Sequence, residues 1–275
     1  MDNLKIITAQ NGNFLINNKF KDCLDANNIK SAESLMKLKG VTVKKVLKER
    51  GTEKVILKST DGKKELEMFL KRYLPVPLKE IYKGIVSLKK TNFNAFDEWN
   101  SILSFHQQQL DTMEPVAIGK VNKECCILTL GIKDYTKAPE VFKKFQNTPE
   151  DDERKRKLII SIAEYVGKMH KAGMAHQDLY LVHFFIKEQE HDRVFLIDLQ
   201  RALVKKEVAW RWRVKDLGQL LFSAKNFINQ NEIDLFWENY CRTANHNLKY
   251  NSRLIKAILK KAQKILNREI RKSKE

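Results

Sequence analysis

Gly173-Met174-Ala175-His176-Gln177-Asp178-Leu179-Tyr180-Leu181-Val182-His183-Phe184, followed by Phe195-Leu196-Ile197-Asp198, is the stretch on which the reading of this 275-residue sequence turns. Immediately before it, Leu158, Ile162, Tyr165 or Val166, and Met169 fall on one stripe at helical spacing. Thr148-Pro149-Glu150-Asp151 supplies an N-cap, a proline in the first turn and acidic residues against the helix dipole, and Gly173 supplies the stop. A long helix is therefore predicted, then a loop from Met174 to His183, then two short apolar strands, Phe184 to Lys187 and Arg193 to Leu199. Asp178 lies in the loop and Asp198 at the end of the second strand. Two carboxylates so placed converge on one cleft, where one orients a hydroxyl and the other holds Mg²⁺ against phosphate oxygens, the division of labour that phosphoryl transfer requires. A metal site built from His170, His176 and His183 is the competing reading, although their spacing fits no standard zinc pattern.

Upstream, residues 1–39 read as an N-terminal appendage with a helical stretch from Lys19 to Lys39. Three strand-like runs follow, Val41 to Lys48, Lys54 to Ser59 and Glu65 to Tyr73, broken at Arg50-Gly51 and Asp61-Gly62. The Asp-Gly pair predicts a two-residue type I′ hairpin, in which both central positions have φ > 0. Phe96, Trp99, Leu103 and Leu110 then mark a helix over Phe93 to Leu110, and Cys125 to Leu130 a buried strand. From Arg213 onward the pattern is helical. The predicted fold is α+β and bilobal: a small antiparallel sheet with one packed helix over 40–130, and a larger helical lobe over 131–275.

Lys and Arg number 52 against 34 Asp and Glu, a net charge of +18, which points to an anionic partner. Apolar residues at 43% and charged residues at 31% exclude a disordered or membrane-embedded chain. The most apolar windows, Cys125 to Ile132 and Leu158 to Val166, fall short of the ~20 residues that span a bilayer. Met1-Asp2-Asn3-Leu4-Lys5 lacks a signal-peptide pattern, so a cytoplasmic location with peripheral membrane contact is expected. Cys23, Cys125, Cys126 and Cys241 show no zinc spacing and read as small buried residues. The cations are spread along the chain and no nucleic-acid signature is present, so nucleic acid is not the expected partner.

The loop and strand-end aspartates, set after a long helix, resemble the protein-kinase catalytic segment. The fuller set is more specific: residues 173–184, Ile197-Asp198-Leu199-Gln200-Arg201-Ala202, and Arg211-Trp212-Arg213-Val214-Lys215-Asp216-Leu217 resemble the lipopolysaccharide core kinases, the Kdo/heptose kinases, over roughly residues 40–225. The resemblance implies a protein-kinase-like fold and transfer of the ATP γ-phosphate, with Mg²⁺, to an inner-core sugar of lipopolysaccharide. Heptose is the first expected acceptor and Kdo the second; a catalytically inactive kinase-like binding protein is the alternative class. By motif, Asp178 takes the catalytic position, Asp198 the metal-binding one, and Asp216 that of the buried aspartate under the loop. His176 supports the loop, and His183 stands where protein kinases place an asparagine that binds a second metal. Phe69-Leu70-Lys71 is similar to the family strand whose lysine reaches the nucleotide phosphates, and Asp97-Glu98-Trp99 makes Glu98 its ion-pair partner.

Departures from protein kinases carry expectations of their own. Glu49-Arg50-Gly51-Thr52 has one glycine in place of a glycine-rich loop, leaving Arg50 and Gly51 as phosphate cover. Gln177 replaces the usual arginine, and only twelve residues separate Asp198 from Arg211, too few for a regulatory loop, which implies constitutive activity. Arg201, Arg211 and Arg213, within a cluster that includes Lys205, Lys206 and Lys215, would meet an acceptor rich in carboxylate and phosphate. The run from Arg253 to Lys274 reads either as a stripe packed on the core or as a contact with an anionic leaflet at the cytoplasmic face of the inner membrane.

Overall fold

Parity along one strand organises the first half of the chain. The computed structural model describes residues 4–47, 50–75, 94–146, 148–188, 190, 192–244 and 252–273, with backbone alone at 44–47 and 50. In β5 (Glu65–Tyr73), Met68 and Leu70 enter one buried layer, while Lys71 and Tyr73 point to the opposite face. β5 lies between β4 (Arg50–Lys58) and β7 (Glu124–Leu130). The complete sheet runs β1 (Ile6–Ala9), β2 (Phe14–Asn17), β6 (Pro115–Val121), β7, β5, β4, β3 (Val41–Leu47), with neighbours antiparallel throughout.

The first residues of the chain are therefore not an appendage. Two of the seven strands come from them, and Phe14, Leu24, Ile29 and Leu35 share a core with Met68, Leu70, Cys126 and Leu128. Four-residue strands are too short to show alternation, which is why they escaped prediction. The expected helix from Lys19 to Lys39 is two helices, α1 (Lys21–Ala26) and α2 (Ala32–Met36). Asn28 breaks it with φ 58°, and Ser31 restarts it through a reciprocal cap, its Oγ accepting from the Ser34 N–H while Ser34 Oγ accepts from the Ser31 N–H. α2 lies so close to β6 that a Cβ on Gly119 would meet Ala32 Cα at 3.1 Å. The β4–β5 turn also differs from expectation. Only Gly62 has positive φ, and Asp61 Oδ1 accepts from Ser59 Oγ and from the Lys63 N–H, so a side-chain-braced longer loop replaces the two-residue turn. Gly51 lies inside β4 opposite Arg72 rather than in a connecting loop.

The other face of the sheet is covered by α3 (Ala95–Gln107), which buries Trp99, Ile102 and Phe105. Its start is fixed by Asn94 and Asp97, each side chain accepting from the other's backbone N–H.

Two compact units result: Met1–Gln107 with Met113–Lys133, and Gln108–Thr112 with Asp134–Glu275. In the second, α4 (Ala138–Lys144) precedes α5 (Pro149–Lys171), whose N-cap Thr148 accepts from the Asp151 N–H. α5 ends at Gly173 (φ +77°), where a Cβ would lie 1.9 Å from the Lys205 carbonyl oxygen, so only glycine fits. The chain then forms β9 (Met174–Ala175) and the hairpin β10 (Phe184–Lys187) and β11 (Arg193–Leu196), with β8 (Thr136–Lys137) beside β10 and β12 (Leu203–Val204) beside β9. Arg154 on α5 braces the hairpin turn through Glu188 and Asp192. Helices α6 (Trp210–Ala224), α7 (Gln230–Ala244) and α8 (Ser252–Lys272) complete this unit. Among the described residues no helix is long and apolar enough to cross a membrane.

Candidate active site

In the first unit, strand parity puts Lys71 on the face covered by α3. There Lys71 Nζ donates to both oxygens of Glu98, at 3.0 and 3.2 Å. Glu98 is 2% exposed, and the Tyr73 hydroxyl donates to its Oε2 at 2.5 Å. Two donors from one strand thus hold a buried carboxylate, which in turn fixes the lysine ammonium.

In the second unit the organising group is Asp216, fully buried on α6. Its carboxylate accepts from the backbone N–H groups of His176 and Gln177, both at 2.8 Å. One turn further along α6, Gln219 Oε1 accepts from the Leu179 N–H at 3.3 Å, and a second turn on, Ser223 Oγ accepts from the Leu181 N–H at 2.8 Å. A stripe at i, i+3 and i+7 therefore satisfies the backbone donors of residues 176, 177, 179 and 181. His176 sits beneath: its Nε2 donates to the Ile197 carbonyl at 2.9 Å, and its Nδ1 accepts from the Asp178 N–H at 3.3 Å. His183 Nδ1 donates to the Asp178 carbonyl at 2.7 Å, and its Nε2 lies 3.9 Å from Asp198 Oδ2. The His183 ring thus lies between residue 178 and Asp198.

Asp198 is not at the strand end predicted for it. β11 stops at Leu196, and Asp198 occupies the left-handed region (φ 65°, ψ 56°) before a short 3₁₀ turn. Gln177 is left-handed as well (φ 64°), and its Nε2 donates to the Arg201 carbonyl. Two non-glycine residues in this region flanking one carboxylate cluster mark backbone strain held in place by the surrounding bonds.

The expected acceptor cations separate. Arg201 and Arg211 are exposed, Arg211 lying over the Trp212 ring at 4.6 Å. Arg213 turns inward, donating to the Tyr240 hydroxyl at 2.6 Å, because a residue three before Asp216 shares its helix face. It belongs to the buried network instead. Arg50 lies outside the described side chains, and a Cβ on Gly51 would meet nothing within 4 Å. The three-histidine metal site is not formed: His170 is tied to Asp216 and Tyr240, and among the described residues no cluster of three metal-binding side chains occurs. All four cysteines are free and buried. Tyr73, Gln219 and Ser223 were missed from sequence; the i, i+3, i+7 spacing from Asp216 was the one signal available for the last two.

The His170 ring donates from Nε2 to Asp216 and accepts at Nδ1 from the Tyr240 hydroxyl, so it is held neutral, and burial pushes its pKa down from 6.5. A depressed histidine means that the unfolded chain binds the extra proton as pH falls below about 6.5. Stability is therefore expected to drop between pH 7 and 5.5, with a slope for this group that steepens below pH 6.5 toward a limit of about 1.4 kcal/mol per pH unit. Denaturant melts at the two pH values check this, and a flat or rising stability would contradict it.

A sheet whose lysine pairs with a buried glutamate, and a helical unit with a loop aspartate, a second aspartate after a hairpin and a buried anchoring aspartate, define the protein-kinase-like class. A solved structure, "WaaP in complex with acyl carrier protein", matches this fold with a TM-score of 0.68 over 95% of this chain and 99% of its own, at 23% identity. The profile of the lipopolysaccharide kinase (Kdo/WaaP) family matches residues 38–240. The lipopolysaccharide core heptose(I) kinase WaaP of Escherichia coli is 33% identical over 240 residues, covering 83% of this chain and 89% of the relative. Its Pseudomonas aeruginosa counterpart is 31% identical over 190 residues, covering 66% and 70%. The chain belongs to the lipopolysaccharide kinase (Kdo/WaaP) family. As a kinase it draws its phosphoryl group from ATP.

Proposed function

We propose that this kinase phosphorylates a heptose of the lipopolysaccharide inner core, with Lys71 and Glu98 serving the nucleotide phosphates and Asp178 and Asp198 serving the transfer. The observation that carries the acceptor is the shared activity of the similar relatives, each a heptose(I) kinase. Kdo remains the second acceptor.

The chemistry follows from the groups present. A sugar hydroxyl is too weakly acidic to be deprotonated in advance, so Asp178 orients it and takes its proton late. Lys71, fixed by Glu98, neutralises charge on the phosphates. Mg²⁺ takes hard oxygen donors and completes its shell with nucleotide phosphates, a requirement that the Asp198 carboxylate fits; the His183 imidazole is the softer member of that pair. When bound, the ion supplies further charge neutralisation at the phosphate oxygens. Arg201 and Arg211, both exposed, are the acceptor-facing cations of this proposal, and Arg50 and Gly51 the phosphate cover.

Two partners accompany the reading. An acceptor anchored in lipid places the enzyme peripherally on a membrane, at the cytoplasmic face. Helix α8 suits that position, with eight Lys and Arg against one Glu, Leu254 and Ile258 buried and Arg253, Lys256, Lys260 and Lys264 exposed. A carrier protein, the partner of the solved WaaP, is the second. Leu220, Trp237, Ile258 and Leu259 contribute to an apolar cavity among α6, α7 and α8 that would take an acyl chain. Acyl-loaded carrier protein is expected to raise the melting temperature and the unloaded form to leave it unchanged; equal effects would remove the acyl chain from the proposal.

The acceptor is tested by mapping the product. Incubation with ATP and a dephosphorylated core acceptor is expected to put phosphate on heptose. Phosphate on Kdo would move the assignment to the second acceptor, and no incorporation would favour the inactive binding protein.

A further inference from the structure

We infer that Gln219 is a positioning residue for Asp178, fixing the carboxylate that meets the acceptor hydroxyl. The inference rests on the proposed role of Asp178. Three residues of α6 face the loop, and two of them, Asp216 and Ser223, offer it only acceptors. Gln219 does more. Its Oε1 accepts from the Leu179 N–H at 3.3 Å, and its Nε2 donates to Asp178 Oδ1 at 3.3 Å. The orientation of the amide is dictated by its surroundings: a backbone N–H can only donate, so the oxygen must face Leu179 and the amino group must face the carboxylate. Gln219 is 5% exposed, which leaves the amide little freedom to turn elsewhere.

The rest of residue 178 is held through its backbone, by His176 at the N–H and by His183 and the Tyr180 N–H at the carbonyl. Those bonds place the Cα and leave the rotation of the carboxylate open. The Nε2 donor restricts that rotation by engaging Oδ1, which leaves Oδ2 for the hydroxyl, and a catalytic group gains from such fixing because misorientation is reduced before the reaction begins. No other side chain type of this size supplies both functions. A glutamate accepts from Leu179 but sets a carboxylate against Asp178; a leucine does neither.

The test compares Gln219→Glu with Gln219→Leu in steady-state transfer from ATP to core acceptor, with melting temperatures measured on both. We expect kcat to fall by about 10-fold or more in each, with the KM for ATP unchanged and Gln219→Glu at least as impaired as Gln219→Leu. A purely structural role predicts the opposite order, because Gln219→Glu keeps the acceptor for the Leu179 N–H. Wild-type kcat in Gln219→Glu, or a change confined to KM, would overturn the inference. If Gln219→Leu fails to fold, Gln219→Glu alone decides. A fully active Asp178→Ala would sink the reading of Asp178 itself, whereas an inactive Asp178→Ala beside a fully active Gln219→Glu sinks only the inference about Gln219.

Discussion

Asp178→Ala is expected to lower kcat by about 10²–10⁴-fold while leaving the KM for ATP within about twofold of wild type. The expectation separates side chain from backbone. Position 178 contributes to the fold through its N–H, bonded to His176, and through its carbonyl, which accepts from His183 and from the Tyr180 N–H. Alanine keeps all three. What it removes is the carboxylate, which accepts from the Gln219 amide and feels the charge of Lys215. A variant that melts with the wild type and binds ATP normally, yet turns over slowly, is the signature of a group needed only as the hydroxyl begins to attack. Parallel losses in melting temperature and nucleotide affinity would instead mean that the loop had come apart.

The second large effect is expected at Asp198, where the choice of substitution matters. The residue is left-handed, a conformation that asparagine adopts at least as readily as aspartate and that alanine rarely adopts. Asp198→Asn therefore isolates the charge, whereas alanine would add backbone strain. Losing one negative oxygen from the donor set is expected to cut turnover by about 10³-fold and to raise the Mg²⁺ concentration at half-maximal rate. Titration of Mg²⁺ against rate at saturating ATP checks it. An Asp198→Asn enzyme with an unchanged Mg²⁺ profile would remove the metal role from this residue.

Strong local rules were legible. The caps of α5, its apolar stripe and Gly173 gave a helix whose bounds agree with the structure, because each signal acts within a turn or two. The parity of β5 put Leu70 and Lys71 on different faces, and the Glu98 partner expected from the resemblance lies on α3, 3.0 Å from the lysine. Non-local features were hidden. β1 and β2 are identified by the sheet they extend and the core they share, neither visible in four residues. The turn at Asp61-Gly62 departed from prediction because Ser59 and the Asp61 side chain offered hydrogen bonds that a dipeptide rule leaves out. Gln219 was an ordinary polar residue until the loop lay against it. Arg213 stood in a cationic run and read as surface, yet its spacing from Asp216 already put it on the inner face of the helix.

The proposed roles of Lys71 and Asp198 require both side chains to meet the same bound nucleotide. A crystal structure with Mg²⁺ and a non-hydrolysable ATP analogue tests that requirement most directly. The expected result is the Lys71 ammonium against the phosphates and Asp198 on the ion that those same phosphates share. A nucleotide bound in contact with one of these two side chains and remote from the other would contradict it.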